Sequence, residues 1–96
     1  MFSIGSLFSK SSKIQEMMNA GAAVIDVRTP MEFDGGHYNG SINIPLDQLP
    51  YELDRIKGMQ KPIVVVCRSG ARSGRAAGFL SQNGLEVENG GPWTAL

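Results

Sequence analysis

The chain has a single cysteine and a single histidine in 96 residues, and each scarcity closes off a chemistry. A lone thiol forms no internal disulfide. One Cys and one His are too few ligands for a zinc site, so neither metal nor cofactor is expected. An excess of either charge is missing too. Lys plus Arg number 9 and Asp plus Glu number 9, which leaves no net field to gather nucleic acid or an anionic membrane. Long apolar runs are also absent, and no stretch approaches the roughly 20 residues of a membrane helix. The apolar start, Met1-Phe2-Ser3-Ile4-Gly5-Ser6-Leu7-Phe8, has no preceding basic residue and is broken by Ser and Gly, unlike a secretory leader. The expectation is one cytoplasmic domain over residues 1–96, monomeric, its unpaired thiol suited to a reducing compartment.

What the chain does hold is concentrated around that cysteine. Ile63-Val64-Val65-Val66 follows Pro62 as an unalternating β-branched run, the pattern of a buried parallel strand. Beyond the cysteine, Ala76, Phe79 and Leu80 recur at helical spacing. Cys67 therefore falls between a strand and a helix, at the carboxyl edge of a sheet, where open α/β sheets bind ligands. A tight loop over a helix start turns backbone N–H groups inward and favours an anion. Arg68, Arg72 and Arg75, three of the nine cations, cluster in the same short stretch.

The flanking segments predict the rest of an α/β domain. Ser12 with Gln15 forms a capping-box pattern for a helix carrying Ile14, Met17 and Met18 and ending at Gly21. Residues 22–27 read as a strand, and Thr29-Pro30 as the cap and first residue of a short helix. Ser41–Pro45 reads as a brief strand. Leu46, Leu49, Leu53 and Ile56 give one helix up to Gly58, with Pro50 in its first turn. Gly74 and Gly78 suggest close approach of the last helix to the sheet. Leu85–Glu88 is a final strand, followed by a turn at Asn89-Gly90-Gly91-Pro92 and a stunted last helix after Trp93. A first strand is expected somewhere in residues 2–10. Alternating strands and helices on short connections imply a small parallel sheet of about four to five strands, flanked by helices on both faces.

Three blocks stand out along the chain: Asp26-Val27-Arg28 with Glu32-Phe33, Gly36-His37 and Gly40–Pro45; Cys67-Arg68-Ser69-Gly70-Ala71-Arg72-Ser73; and Asn89-Gly90-Gly91 with Trp93. In this order they resemble the rhodanese-like sulfurtransferases. The resemblance implies transfer of sulfane sulfur from an anionic donor such as thiosulfate to a thiophilic acceptor, through a persulfide on Cys67. It also implies that Arg68, Ser69, Gly70, Ala71 and Arg72 complete a six-residue cradle for the sulfur, continued by Ser73. Arg68 and Arg72 would attract the donor's sulfonate. Asp26 and Arg28 match a buried polar pair that shapes the site. Cyanide, a thiol, a thioredoxin-like reductant or a sulfur-carrier protein would serve as acceptor.

The chemistry agrees with such a cradle. Lowering a thiol's pKa by about two units raises the thiolate fraction at pH 7 about 25-fold, but costs roughly 8-fold in nucleophilicity. The net gain is only about 3-fold, so the cradle's larger task is to bind the donor and stabilise charge on the departing sulfite and on the persulfide. Cysteine-loop phosphatases need five residues between Cys and Arg; Cys67 and Arg72 have four between them. An arsenate reductase, a non-catalytic binding module and a redox sensor built on an exposed thiol are the other readings. His37 is read as a turn residue with a structural hydrogen bond, Arg28 and Glu32 as a local ion pair, and Trp93 as a lid on the core edge.

Overall fold

The computed structural model describes residues 10–96. The strand expected in residues 2–10 lies outside the described residues, apart from Lys10, which is helical. In chain order the elements are α1 (Lys10–Asn19), β1 (Ala23–Asp26), α2 (Pro30–Asp34), β2 (Ile42–Asn43), a 3-10 segment (Leu46–Glu52), α3 (Leu53–Gly58), β3 (Ile63–Cys67), α4 (Ala71–Gln82), β4 (Val87–Pro92) and a 3-10 turn (Trp93–Ala95). Among the described residues the strands form one sheet in the order β2-β1-β3-β4, every pairing parallel.

β3 is buried along its whole length because both faces of the sheet are covered. Ile63, Val65 and Cys67 point to one side, where Ile56 of α3 and Ala76 and Leu80 of α4 pack on them. Val64 and Val66 point to the other, under Ile14 and Met17 of α1 with Trp93 and Leu96 alongside. A strand with apolar neighbours on both faces carries no polar alternation, which is why residues 63–66 read as an unbroken aliphatic run.

Several local expectations hold. Gly21 closes α1: its N–H donates to Met18 O (3.0 Å) and that of Ala22 to Met17 O (3.0 Å), a Schellman pair. Thr29 caps α2 in a complete capping box with Glu32, and Pro30 takes the first turn.

Others need correction. α1 extends back to Lys10, which puts Ser12 inside the helix rather than at its cap. Gln15, freed from that box, donates to Asn19 Oδ1 at 3.1 Å. The expected helix over Leu46–Gly58 divides, because Pro50 cannot donate to an α-helical ladder. Leu46–Glu52 is 3-10 with Pro50 in its interior, and only Leu53–Gly58 is α-helical.

The largest correction concerns residues 89–92. Asn-Gly-Gly-Pro has the composition of a turn, yet these residues continue β4. Val65 pairs with Asn89 and Val66 with Gly91, so Gly90 is the extra residue of a bulge. A Cβ on Gly90 would lie 2.8 Å from Val64 Cγ1 and 3.0 Å from Val66 Cγ1. Glycine is required there by contact with the core, not by a chain reversal. Gly78, by contrast, has nothing within 4 Å of a built Cβ, and Gly74 meets only Asn89 Nδ2 at 3.4 Å. The close helix–sheet approach expected at Gly78 is therefore absent.

This contrast sets opposite expectations. Gly90→Ala should destabilise the protein by about 1–3 kcal/mol through overpacking, whereas Gly78→Ala should stabilise it by up to ~1 kcal/mol through helix propensity. Urea midpoints of the two variants check both signs.

Candidate active site

β3 ends on Cys67 and α4 begins at Ala71, so three residues make the turn between them. Gly70 adopts φ +102°, a left-handed conformation that glycine takes without strain. This turns its N–H back onto Cys67 Sγ at 2.9 Å. Ser73 Oγ lies 3.3 Å from the same sulfur. Burial pushes the Cys67 thiol up, but the Ser73 hydroxyl and the amides of Ser73, Gly70 and Ser69 together outweigh it, leaving the pKa below the ordinary thiol value.

Cys67 is fully buried at 0% exposure, which corrects the exposed thiol expected for a redox sensor and bears equally on any reagent that must reach this sulfur. The loop closes over Sγ because the sulfur is the acceptor its inward amides need. Around it the structure brings together Cys67, Ser69, Gly70 and Ser73. Arg68, Ser69 and Ala71 are exposed to solvent, and Arg72 is half-buried with its guanidinium on Glu32.

Asn89, on β4, holds this loop in place. Its Nδ2 donates to Gly70 O at 3.0 Å, while its Oδ1 accepts from Ser73 Oγ at 2.6 Å and from Gly91 N at 2.9 Å. Sequence reasoning missed Asn89 because it sat in an Asn-Gly-Gly-Pro string whose composition signals a turn. The bulge at Gly90 brings the Gly91 amide onto the Asn89 side-chain carbonyl, which it shares with the Ser73 hydroxyl.

The arginines divide into two environments. Arg28 is buried on Asp26, its Nε 2.9 Å from Oδ1 and its Nη2 2.7 Å from Oδ2. It also donates to Glu32 O (3.2 Å) and Gly36 O (2.8 Å), and its guanidinium lies 5.0 Å from the Trp93 ring. The expected Arg28–Glu32 ion pair is therefore corrected. Asp26 is nearer and buried, and it takes Arg28, so the Glu32 carboxylate goes to Arg72. Arg72 Nη1 donates to Glu32 Oε1 at 2.7 Å and Nη2 to Oε2 at 2.9 Å. Arg72, followed by the Thr29 amide, holds the Glu32 carboxyl down at about 2, so the pair stays ionised on both sides at neutral pH.

A cleft of about 290 Å³ beside Arg72 is lined by Val27, Thr29, Pro45, Leu46 and Asp47. His37 is structural: its Nδ1 lies 2.8 Å from Phe33 O and its ring stacks on Phe33 at 3.7 Å. Among the described residues no three His, Cys, Asp or Glu side chains gather as a metal site. No described helix is long and apolar enough to cross a membrane.

A thiol at the carboxyl edge of a parallel sheet, ringed by amides at a helix start, defines a cysteine-loop α/β domain. The chain belongs to the rhodanese-like domain family, which it matches over residues 11–90. It is similar to the uncharacterized protein YqhL of Bacillus subtilis, 47% identical over 79 residues, covering 78% of this chain and 62% of that protein. It is 35% identical over 69 residues to the thiosulfate sulfurtransferase GlpE of Stutzerimonas stutzeri, covering 72% of this chain and 62% of the relative. It thus spans less than two thirds of either relative's length. Among solved structures it resembles a rhodanese with anions from E. coli, with a TM-score of 0.71 and 32% identity, covering 78% of this chain and 91% of that one.

Asn89→Ala removes two hydrogen bonds to the loop and a third within β4, to Gly91. It should lower stability by about 1–3 kcal/mol by leaving buried polar groups unpaired, and speed amide exchange across residues 69–73. Unchanged exchange in that segment would separate Asn89 from the loop.

Proposed function

We propose that this protein is a thiosulfate-type sulfurtransferase that works through a persulfide on Cys67. The observation that carries the reading is the Cys67 sulfur at the strand end with the Gly70 amide donating to it at 2.9 Å and Ser73 Oγ at 3.3 Å, in a loop that lowers its pKa. The Cys67 thiolate attacks the outer sulfur of thiosulfate. An Sγ–S bond forms, the S–S bond of the donor breaks, and sulfite leaves with its electron pair. The terminal sulfur carries the remaining negative charge, and the same loop stabilises it. A thiophilic acceptor then takes that sulfur: with cyanide, a C–S bond forms, Sγ–S breaks, and the thiolate returns.

Arg68 and Arg72 serve the donor's sulfonate, and Ala71 and Ser73 complete the wall of the cradle. Asp26 and Arg28 hold the β1 and α2 sides of the site. No proton need move once the thiol is ionised, so His37 has no part in the transfer. The acceptor is a thiol, a thioredoxin-like reductant or a sulfur-carrier protein in the cytoplasm. Four residues between Cys67 and Arg72 favour a lone sulfur over a tetrahedral phosphate.

Incubation with thiosulfate should add one sulfur to the intact mass, cyanide should remove it, and Cys67→Ala should abolish both the adduct and turnover with the fold retained. Turnover surviving in Cys67→Ala would end the proposal. Inserting one glycine after Gly70 should weaken sulfur transfer and admit phosphate-sized oxyanions. Equal transfer by the longer loop would show that cradle size does not select the substrate.

A further inference from the structure

We propose that Glu32 is a specificity-determining residue: its carboxylate occupies Arg72 in the resting protein, and an oxyanionic donor binds by taking that guanidinium from it. The inference takes the identity of the donor from the sulfurtransferase reading, while the competition itself is independent of any turnover.

The geometry of the pair is the first support. Two near-parallel bonds of 2.7 and 2.9 Å join the Arg72 fork to both Glu32 oxygens. The same fork receives two oxygens of a sulfonate or sulfate, so the internal and external anions claim one site. The second support is exposure. Arg72 and Glu32 side chains are 32% and 29% exposed, against 6% and 0% for Arg28 and Asp26. Asp26 is locked on its arginine, whereas Glu32 is within reach of solvent and solutes.

Glu32 also has somewhere to stay when Arg72 leaves. Its Oε1 accepts from Thr29 N at 3.0 Å and from Thr29 Oγ1 at 3.1 Å, at the start of α2. Displacement therefore leaves the carboxylate hydrogen-bonded and partly in water. Arg72 and Thr29 both line the cleft of about 290 Å³, which offers an incoming anion room next to the fork. Asp47, on the same cleft, adds a further negative charge against anions.

The consequence is a handicap on oxyanionic donors. A guanidinium already claimed by a carboxylate binds an added anion with an affinity reduced by the fraction of time the arginine is free. For a partly exposed pair that reduction is about five-fold.

Glu32→Gln is the informative variant, because glutamine serves equally in a capping box while removing the charge. Two readouts apply to wild type and variant at fixed pH and ionic strength. One is the thiosulfate KM with cyanide as acceptor; the other is the sulfate concentration that half-protects Cys67 from iodoacetamide. Glu32→Gln should lower both about five-fold, and the difference should vanish in an Arg72→Ala background. Identical values in wild type and variant, or a shift that survives without Arg72, would overturn the proposal. Sulfate protection that shifts through Arg72 in a protein with no thiosulfate turnover would instead uphold the competition and reject the sulfurtransferase reading. Should Glu32→Gln melt early, Glu32→Asp, which keeps the charge but shortens the reach, should show the same shift in smaller size.

Discussion

The site depends on one side-chain amide bridging two elements far apart in sequence. Asn89 takes the Gly70 carbonyl, the Ser73 hydroxyl and the Gly91 amide at once, and so fixes both ends of the cysteine loop against β4. A loop that turns its amides inward must find partners for the carbonyls facing the other way. Without Asn89 the Gly70 carbonyl would keep only the Gly74 amide, at 2.9 Å, and nothing would tie it to β4. The bulge at Gly90 is the structural condition for this arrangement, since it places residues 89 and 91 on the loop side while residue 90 passes over two valines of β3.

Two arginine–carboxylate pairs flank the loop, and burial separates their roles. Asp26 and Arg28 sit at the end of β1 with almost no exposure, and Arg28 further ties down two backbone carbonyls of the α2 region. Removing either partner would leave an uncompensated buried charge, which makes that pair part of the frame. Glu32 and Arg72 join α2 to α4 in partial contact with water, where an ion pair contributes little to stability and can exchange. A chain neutral overall thus keeps its arginines near the thiol while offsetting two of them locally.

Much of this was legible from the residues. The aliphatic run before Cys67, the glycine and arginines after it and the helical spacing of Ala76 and Leu80 located the strand, turn and helix. Thr29-Pro30 with Glu32 located α2, because capping chemistry is local. The misreadings share a cause: one composition served two structures. Asn-Gly-Gly-Pro has turn chemistry, but Gly90 answers to Val64 and Val66, which lie some 25 residues earlier and become neighbours only in the sheet. Arg28 and Glu32 stand at the spacing of a helical ion pair, yet Arg28 turns back to Asp26 two residues before it and Glu32 reaches Arg72 across the fold. Likewise the burial of Cys67 followed from loop closure, which no local pattern encodes.

One feature of α4 links the helix to its chemistry. Its N-cap is Gly70, which has no side chain with which to cap, and whose own amide is met by the sulfur of Cys67 at the start of the helix. The nucleophile is thereby also the helix's terminator, and a thiolate fills that post better than a neutral thiol. Ionisation and helix order are then mutually reinforcing. Any reagent that permanently occupies the sulfur unseats the first turn of α4 as well as the chemistry.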